Sequence, residues 1–146
     1  MFNLCIFSLF FLSVPEPCPK IKGVSINSPV NQVLLAFGTP TSDKLIHEDA
    51  RVYRKLEYQD FVFFFIDCAE SQSCTVMQIG ILSTKVTLEN GLKLGLSKET
   101  VYSILGDETS TKNDNTYVFW VGKFHGYQIS FKNGVVHKLI IINEFG

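Results

Sequence analysis

Gly23-Val24-Ser25-Ile26-Asn27-Ser28-Pro29-Val30-Asn31-Gln32-Val33, closed by Ala36-Phe37-Gly38, returns as Gly91-Leu92-Lys93-Leu94-Gly95-Leu96-Ser97-Lys98-Glu99-Thr100-Val101, closed by Ile104-Leu105-Gly106. The shared pattern is Gly-apolar-x-apolar, a helix start, Val, and an apolar pair stopped by Gly. A repeat of this size governs how every later stretch is read, because each copy is one supersecondary unit that needs a neighbour to cover its apolar side. Further along, Phe61-Val62-Phe63-Phe64-Phe65 aligns with Tyr127-Gln128-Ile129-Ser130-Phe131, and Thr75-Val76-Met77-Gln78-Ile79 with Val135-Val136-His137-Lys138-Leu139.

Each half carries the same plan. Ser28 before Pro29, and Ser97 with Glu99 in the first turn, read as helix starts. Val30, Val33, Leu34 and Phe37 form one apolar stripe, and Val101, Ile104 and Leu105 another, with Gly38 and Gly106 as stops. Strands are predicted at 51–58, 61–67 and 74–82, then at 116–122, 125–132 and 135–142, joined by short turns that include the hairpin signal Asn133-Gly134. A unit of one helix and three strands is too small to bury its own stripe, so two units sharing one antiparallel sheet are expected. The predicted fold is α+β: two helix-plus-three-stranded-meander repeats, an antiparallel sheet with short helices packed on one face. Repeat module 1 spans 21–82, a linker 83–90, and repeat module 2 91–146.

The Gly-apolar start, the Ser-capped short helix with Val, its Gly stop and the three-stranded meander resemble the SmpA/OmlA-type outer-membrane lipoprotein module. In tandem, over about residues 21–143, they resemble the beta-lactamase inhibitory protein fold. The resemblance implies an exported, non-enzymatic protein whose sheet face binds another protein. No individual binding residue carries over, because the matching pattern is structural.

Residues 1–17 read as a signal or leader segment: no charge occurs from Met1 to Val14, and Leu4 to Leu12 is an apolar run too short to span a bilayer. No Lys or Arg follows Met1, and Pro15-Glu16-Pro17 lacks a small-x-small cleavage pattern. Export to the periplasm or the medium is expected, with Cys18 as a candidate lipid anchor. Cys68 and Cys74 flank a polar loop, a spacing that suits a hairpin disulfide in an exported protein. Reduced thiols or a metal pair are the alternatives, the latter without a second Cys/His pair to complete it.

The 146 residues are 46% hydrophobic and 18% charged, with 13 Phe against one Trp, and Lys+Arg 13 balance Asp+Glu 14. Such balance excludes the clustered basic excess that nucleic-acid binding needs, and the apolar content excludes disorder. The basic cluster Arg51-Val52-Tyr53-Arg54-Lys55 lies among acids and reads as a cross-strand ion-pair ladder on a solvated strand face. His47, His125 and His137 are scattered, and no Gly-x-Ser-x-Gly elbow, Walker loop or dinucleotide glycine pattern occurs. His47 with Asp49, and Asp107 with Glu108, read as solvated loop residues. No catalytic residue, metal ligand or cofactor is expected.

The repeat allows one comparison that composition does not. In the second half Tyr127, Ile129 and Phe131 alternate with Gln128, Ser130 and Lys132, so the first set should face the helices and the second water. By alignment Phe61, Phe63 and Phe65 face the helices, which leaves Val62, Phe64 and Ile66 on the opposite face. An apolar strip there needs a cover: the chain's own 39–50 segment or leader, a neighbouring copy, or a partner. Val62, Phe64 and Ile66, with Tyr53 and Trp120, are the candidate partner-binding residues. The expected function is that of an exported protein-binding module in an inhibitor, immunity or envelope-assembly role. A structural envelope lipoprotein anchored at Cys18 is the alternative, and an enzyme is a remote one.

Overall fold

The computed structural model describes residues 18–68 and 74–144, so the leader at 1–17 lies outside the described residues. Helix α1 (Val30–Phe37) precedes strands β1 (Ser42–Glu48), β2 (Arg51–Glu57), β3 (Phe61–Ile66) and β4 (Thr75–Ile81). Helix α2 (Lys98–Leu105) precedes β5 (Ser110–Asn113), β6 (Thr116–Trp120), β7 (His125–Lys132) and β8 (Val135–Asn143). All eight strands join one open antiparallel sheet in the order β1-β2-β3-β4-β8-β7-β6-β5, so the last strand of each half meets the other at the centre.

Each half has four strands where the sequence predicts three. The additional β1 and β5 are edge strands. Ser42–Glu48 is mostly exposed and β5 wholly so, and without a buried face neither shows the apolar alternation by which strands are recognised. Their charged and polar side chains, and the bulge in β5, suit strands with one unpaired edge. The 39–50 segment therefore lies beside β2 and does not cover a sheet face.

The register defines the faces. Leu56 pairs with Phe63, Phe63 with Ile79, Ile79 with Ile141, Ile141 with Tyr127, and Tyr127 with Phe119. Directly paired residues share a face, so this row crosses six strands on one side, and all six side chains are buried. Both helices lie over it. Phe37 of α1 packs on Phe63 at a tilt, ring centres 5.1 Å apart, and Tyr102 of α2 meets Phe119 edge-on at 5.6 Å. Phe61, Phe63 and Phe65 are buried on this side, as predicted.

The helices are fixed by their termini. Ser97 caps α2, its Oγ accepting the Thr100 N–H at 3.2 Å. Ser28 does not cap α1. Pro29 sits extended and bridges Thr75, so the helix starts at Val30 and the Ser28 Oγ accepts from the Ser25 N–H instead. Gly38 and Gly106 close the helices with φ of 74° and 77°, a conformation that costs a side chain dearly, each donating back to residue 34 or 102.

The segments before the helices are tied to the central strands. Val76 N–H donates to Ser28 C=O, Asn27 N–H to Val76 C=O and Val30 N–H to Cys74 C=O. On the other side, Val136 N–H donates to Leu96 C=O, Gly95 N–H to Val136 C=O and Lys98 N–H to Gly134 C=O. The 83–90 connection is anchored rather than free, since Leu88 belongs to the buried core with Leu92.

Cys68 and Cys74 form a disulfide with Cα atoms 4.7 Å apart, and both are buried at the N-terminal end of α1. Closing so small a ring stabilises by about 2 kcal/mol on the loop-entropy account. Removal of the bridge in a Cys68→Ala, Cys74→Ala protein is expected to lower the unfolding free energy by about that amount in a urea titration.

Candidate interaction face

The face away from the helices is built from the residues alternate to the buried row. Lys44 pairs with Lys55, Lys55 with Phe64, Phe64 with Gln78, Gln78 with Ile142, Ile142 with Gly126, and Gly126 with Trp120. A parallel row runs from Glu57 through Val62, Gly80, Ile140 and Gln128 to Val118. Tyr53 lies on the same face two residues from Lys55.

Phe64 forms a half-buried ridge between two depressions. One, of about 290 Å³, is lined by Val62, Phe64, Gly80 and Ile140, with Lys55, Glu57 and Lys138 as its charged lining. The other, of about 350 Å³, is lined by Tyr53, Phe64, Ile66 and Met77, with Ile46 and the charged pair Glu48 and Arg51. Gly80 makes the first possible. A Cβ there would lie 2.6 Å from a Val62 methyl, so Val62 occupies the space a side chain would take. Val62 is accordingly buried and forms the floor, while Phe64 and Ile66 are partly open. Met77 enters because β4 carries a bulge: Phe64 pairs with Gln78 but Phe65 with Val76, leaving Met77 as the extra residue.

Tyr53, Val62, Phe64 and Ile66 are thus brought together. Trp120 shares their face but stands on β6, four strand spacings from Phe64, or about 19 Å at the usual inter-strand distance. Its surroundings also differ. A Cβ on Gly126 would lie 2.8 Å from the Trp120 ring and 2.5 Å from the Phe119 carbonyl, so the indole lies close over a bare backbone. Gly126→Ala is expected to destabilise by about 1–3 kcal/mol and to change Trp120 fluorescence, as read by thermal melts and emission spectra.

The second half of this face is less wet than its alternation suggests. Lys132 is exposed and Gln128 half-buried, but Ser130 is buried. Its hydroxyl pairs with that of Thr116 on the neighbouring strand at 2.8 Å, so burial leaves neither unsatisfied. Val118 and Ile142 are buried alongside. The apolar side chains lining the two depressions therefore come mostly from the first half, with Ile140 added from β8, while Trp120, 36% exposed, stands apart on β6.

Charges divide between the faces. Lys55 pairs with Glu57 on the open face and lies 5.7 Å from the Phe64 ring. Lys55, and more weakly Lys44, hold the exposed Glu57 carboxyl below its ordinary range. The predicted ladder is thus a same-strand pair here. The cross-strand pair is on the helix side, where the Arg54 guanidinium grips Asp43 at 2.9 and 2.7 Å and lowers its carboxyl.

A carboxyl lowered on folding contributes above its unfolded value, about pH 4, and the contribution is lost as pH falls. With side chains 20% and 42% exposed the Arg54–Asp43 pair is worth less than about 1 kcal/mol. Wild type is expected to lose up to that much more stability than Asp43→Asn between about pH 5 and pH 2 in urea titrations.

Elsewhere, Cys18 is half-buried against the core, and burial pushes its thiol pKa up. No cluster of three or more His, Cys, Asp or Glu suited to a metal occurs among the described residues, nor does any described helix have the length and apolarity to cross a membrane. His47 is exposed in β1, and Glu108 holds the Tyr102 hydroxyl, an assignment of that carboxylate that spacing does not reveal. Burial, and then Glu108, push the Tyr102 pKa up to about 12.

No protein-family model matches the chain, and no curated protein matches it. Among solved structures it is similar to the uncharacterized protein YfeY from Escherichia coli, with a TM-score of 0.57 and 15% identity over 84% of this chain and 95% of that one. It is also similar to a DUF4309 family protein, YjgB, from Bacillus subtilis subsp. subtilis str. 168, with a TM-score of 0.52 and 19% identity over 84% of each. At these identities the likeness is one of fold: this chain shares the architecture of the two proteins.

Proposed function

We propose that the chain is an exported, non-enzymatic protein-binding module that engages its partner through the open sheet face around Phe64, in an inhibitor, immunity or envelope-assembly role. The observation that carries this reading is the clustering of partly open apolar side chains, Phe64, Ile66 and Met77, around one depression on a face the helices do not cover. A half-buried Phe flanked by depressions has the character of an interface anchor, because aromatic side chains bury large area with few rotors.

The tandem character of the chain belongs to the same proposal. Two SmpA/OmlA-like modules side by side, as in the beta-lactamase inhibitory protein fold, account for the paired features. The bonds Val76 to Ser28 and Val136 to Leu96, the bridges Pro29–Thr75 and Ser97–Val135, and the register shifts at Phe64/Phe65 and Ser130/Phe131 recur at corresponding positions. The lipoprotein alternative is less favoured, because a thioether-linked lipid at Cys18 would have to leave the core surface against which the thiol packs.

Affinity capture from an envelope extract tests the reading. Wild type and Leu35→Asp, altered at an 88% exposed position on α1, are expected to retain the same partner, and Phe64→Asp to lose it with its fold intact by circular dichroism. Retention by Phe64→Asp would exclude this face.

A further inference from the structure

The open face carries a charge bias that the whole chain does not. From Cys18 onward the sequence has equal numbers of cationic and carboxylate side chains. By strand register, five cations lie on the open face, Lys44, Arg51, Lys55, Lys132 and Lys138, against two carboxylates, Glu48 and Glu57. The rest of the molecule is acidic by the same margin. Lys55 is occupied by Glu57, which Lys44 also meets at longer range, whereas neither Lys44 nor Lys138, both exposed, makes a close salt bridge among the described residues. Lys44 stands directly opposite Lys55, a like-charge pairing that disfavours the free protein and that an incoming carboxylate would relieve.

The apolar geometry adds a spacing. The depressions centre on Val62 with Gly80 and on Ile66 with Met77, four residues apart along β3, or about 13 Å at the rise of a strand. At about 290 and 350 Å³ they match the lower end of small-molecule sites and are open, so each suits one side chain better than a whole ligand. In an extended segment, residues four apart point the same way and span the same distance.

We infer that the open face takes an extended acidic segment of a partner protein, with two apolar side chains about four residues apart straddling Phe64 and carboxylates meeting Lys44 and Lys138. This rests on the sheet-face reading and gives the partner its chemistry. These two lysines would supply steering and selectivity, and the depressions most of the affinity.

A phage-displayed library of random dodecapeptides, selected on the intact protein and counter-selected on Phe64→Asp, tests it. Enriched sequences are expected to be acidic and to carry large apolar residues at a four-residue interval. A Lys44→Glu, Lys138→Glu protein should bind them about tenfold more weakly at low salt, with the difference fading near about 0.5 M NaCl. Neutral or basic sequences, no enrichment, or indifference to the charge reversal would overturn the acidic assignment. Neutral sequences that still require Phe64 would leave the sheet-face reading standing, whereas capture of the native partner by Phe64→Asp would remove that reading itself. Phe64-dependent binding to vesicles of roughly 30% phosphatidylserine, or a Phe64-dependent dimer in sedimentation, would also overturn the inference, in favour of a membrane or a second copy.

Discussion

Phe63→Ala is expected to lower the unfolding free energy by about 3–5 kcal/mol. Phe63 is fully buried at the centre of the helix-covered face, between Leu56 and Ile79. Its ring packs within 5.1 Å of Phe37, 5.9 Å of Tyr58 and 6.2 Å of Phe61. Deleting it removes the transfer energy of a large apolar side chain and leaves a void walled by strands whose hydrogen bonding prevents collapse. Against a typical domain stability of about 5–15 kcal/mol, such a loss leaves a fraction unfolded at ordinary temperature. A thermal melt is expected to fall by about 10 °C or more, while Leu35→Ala, on the outer side of α1, should leave it nearly unchanged.

Phe64→Asp is expected to do the reverse. One residue along the same strand, it should weaken partner binding by about 2 kcal/mol or more, roughly thirtyfold, while costing the fold only about 1 kcal/mol. The side chain is already partly open to water and faces away from the helices, so its replacement leaves no internal void. An aspartate there would also lie beside Lys55, directly opposite on β2, which moderates the cost of the new charge. Titration calorimetry with the captured partner, beside urea titrations of the same preparations, separates the two effects. Adjacent residues of one strand thus differ in consequence because the strand presents them to different sides.

How far this was legible in the sequence follows from the same alternation. The buried row was readable because Phe61, Phe63 and Phe65 keep the period of two against helices whose Gly stops are explicit, and the hairpin disulfide was readable from the spacing of Cys68 and Cys74. The edge strands were not, since β1 and β5 bury little and leave no apolar pattern. The Ser28 cap was misassigned because the extended backbone at Pro29 is held by Thr75, forty-six residues on, which no local signal carries.

At the candidate site, comparing the two halves singles out Val62, Phe64 and Ile66, and the alternation along Arg51–Glu57 adds Tyr53. Met77, Gly80 and Lys138 were missed, as they come from strands paired through long connections. A glycine within the Thr75–Ile81 strand was the available signal, because a bare backbone inside a strand marks close approach. Trp120 was placed on the right face, but its nearness to Gly126 depends on the register between β6 and β7.

The central claim, that this chain meets its partner through the open face at Phe64, is tested most directly by site-specific photocrosslinking. A benzoylphenylalanine placed at position 64, and separately at position 35, reports which surface touches the partner in the native extract. A single discrete adduct from position 64 and none from position 35 is the predicted result. An adduct from position 35 alone, or no adduct at position 64 while the partner is still captured, would contradict it.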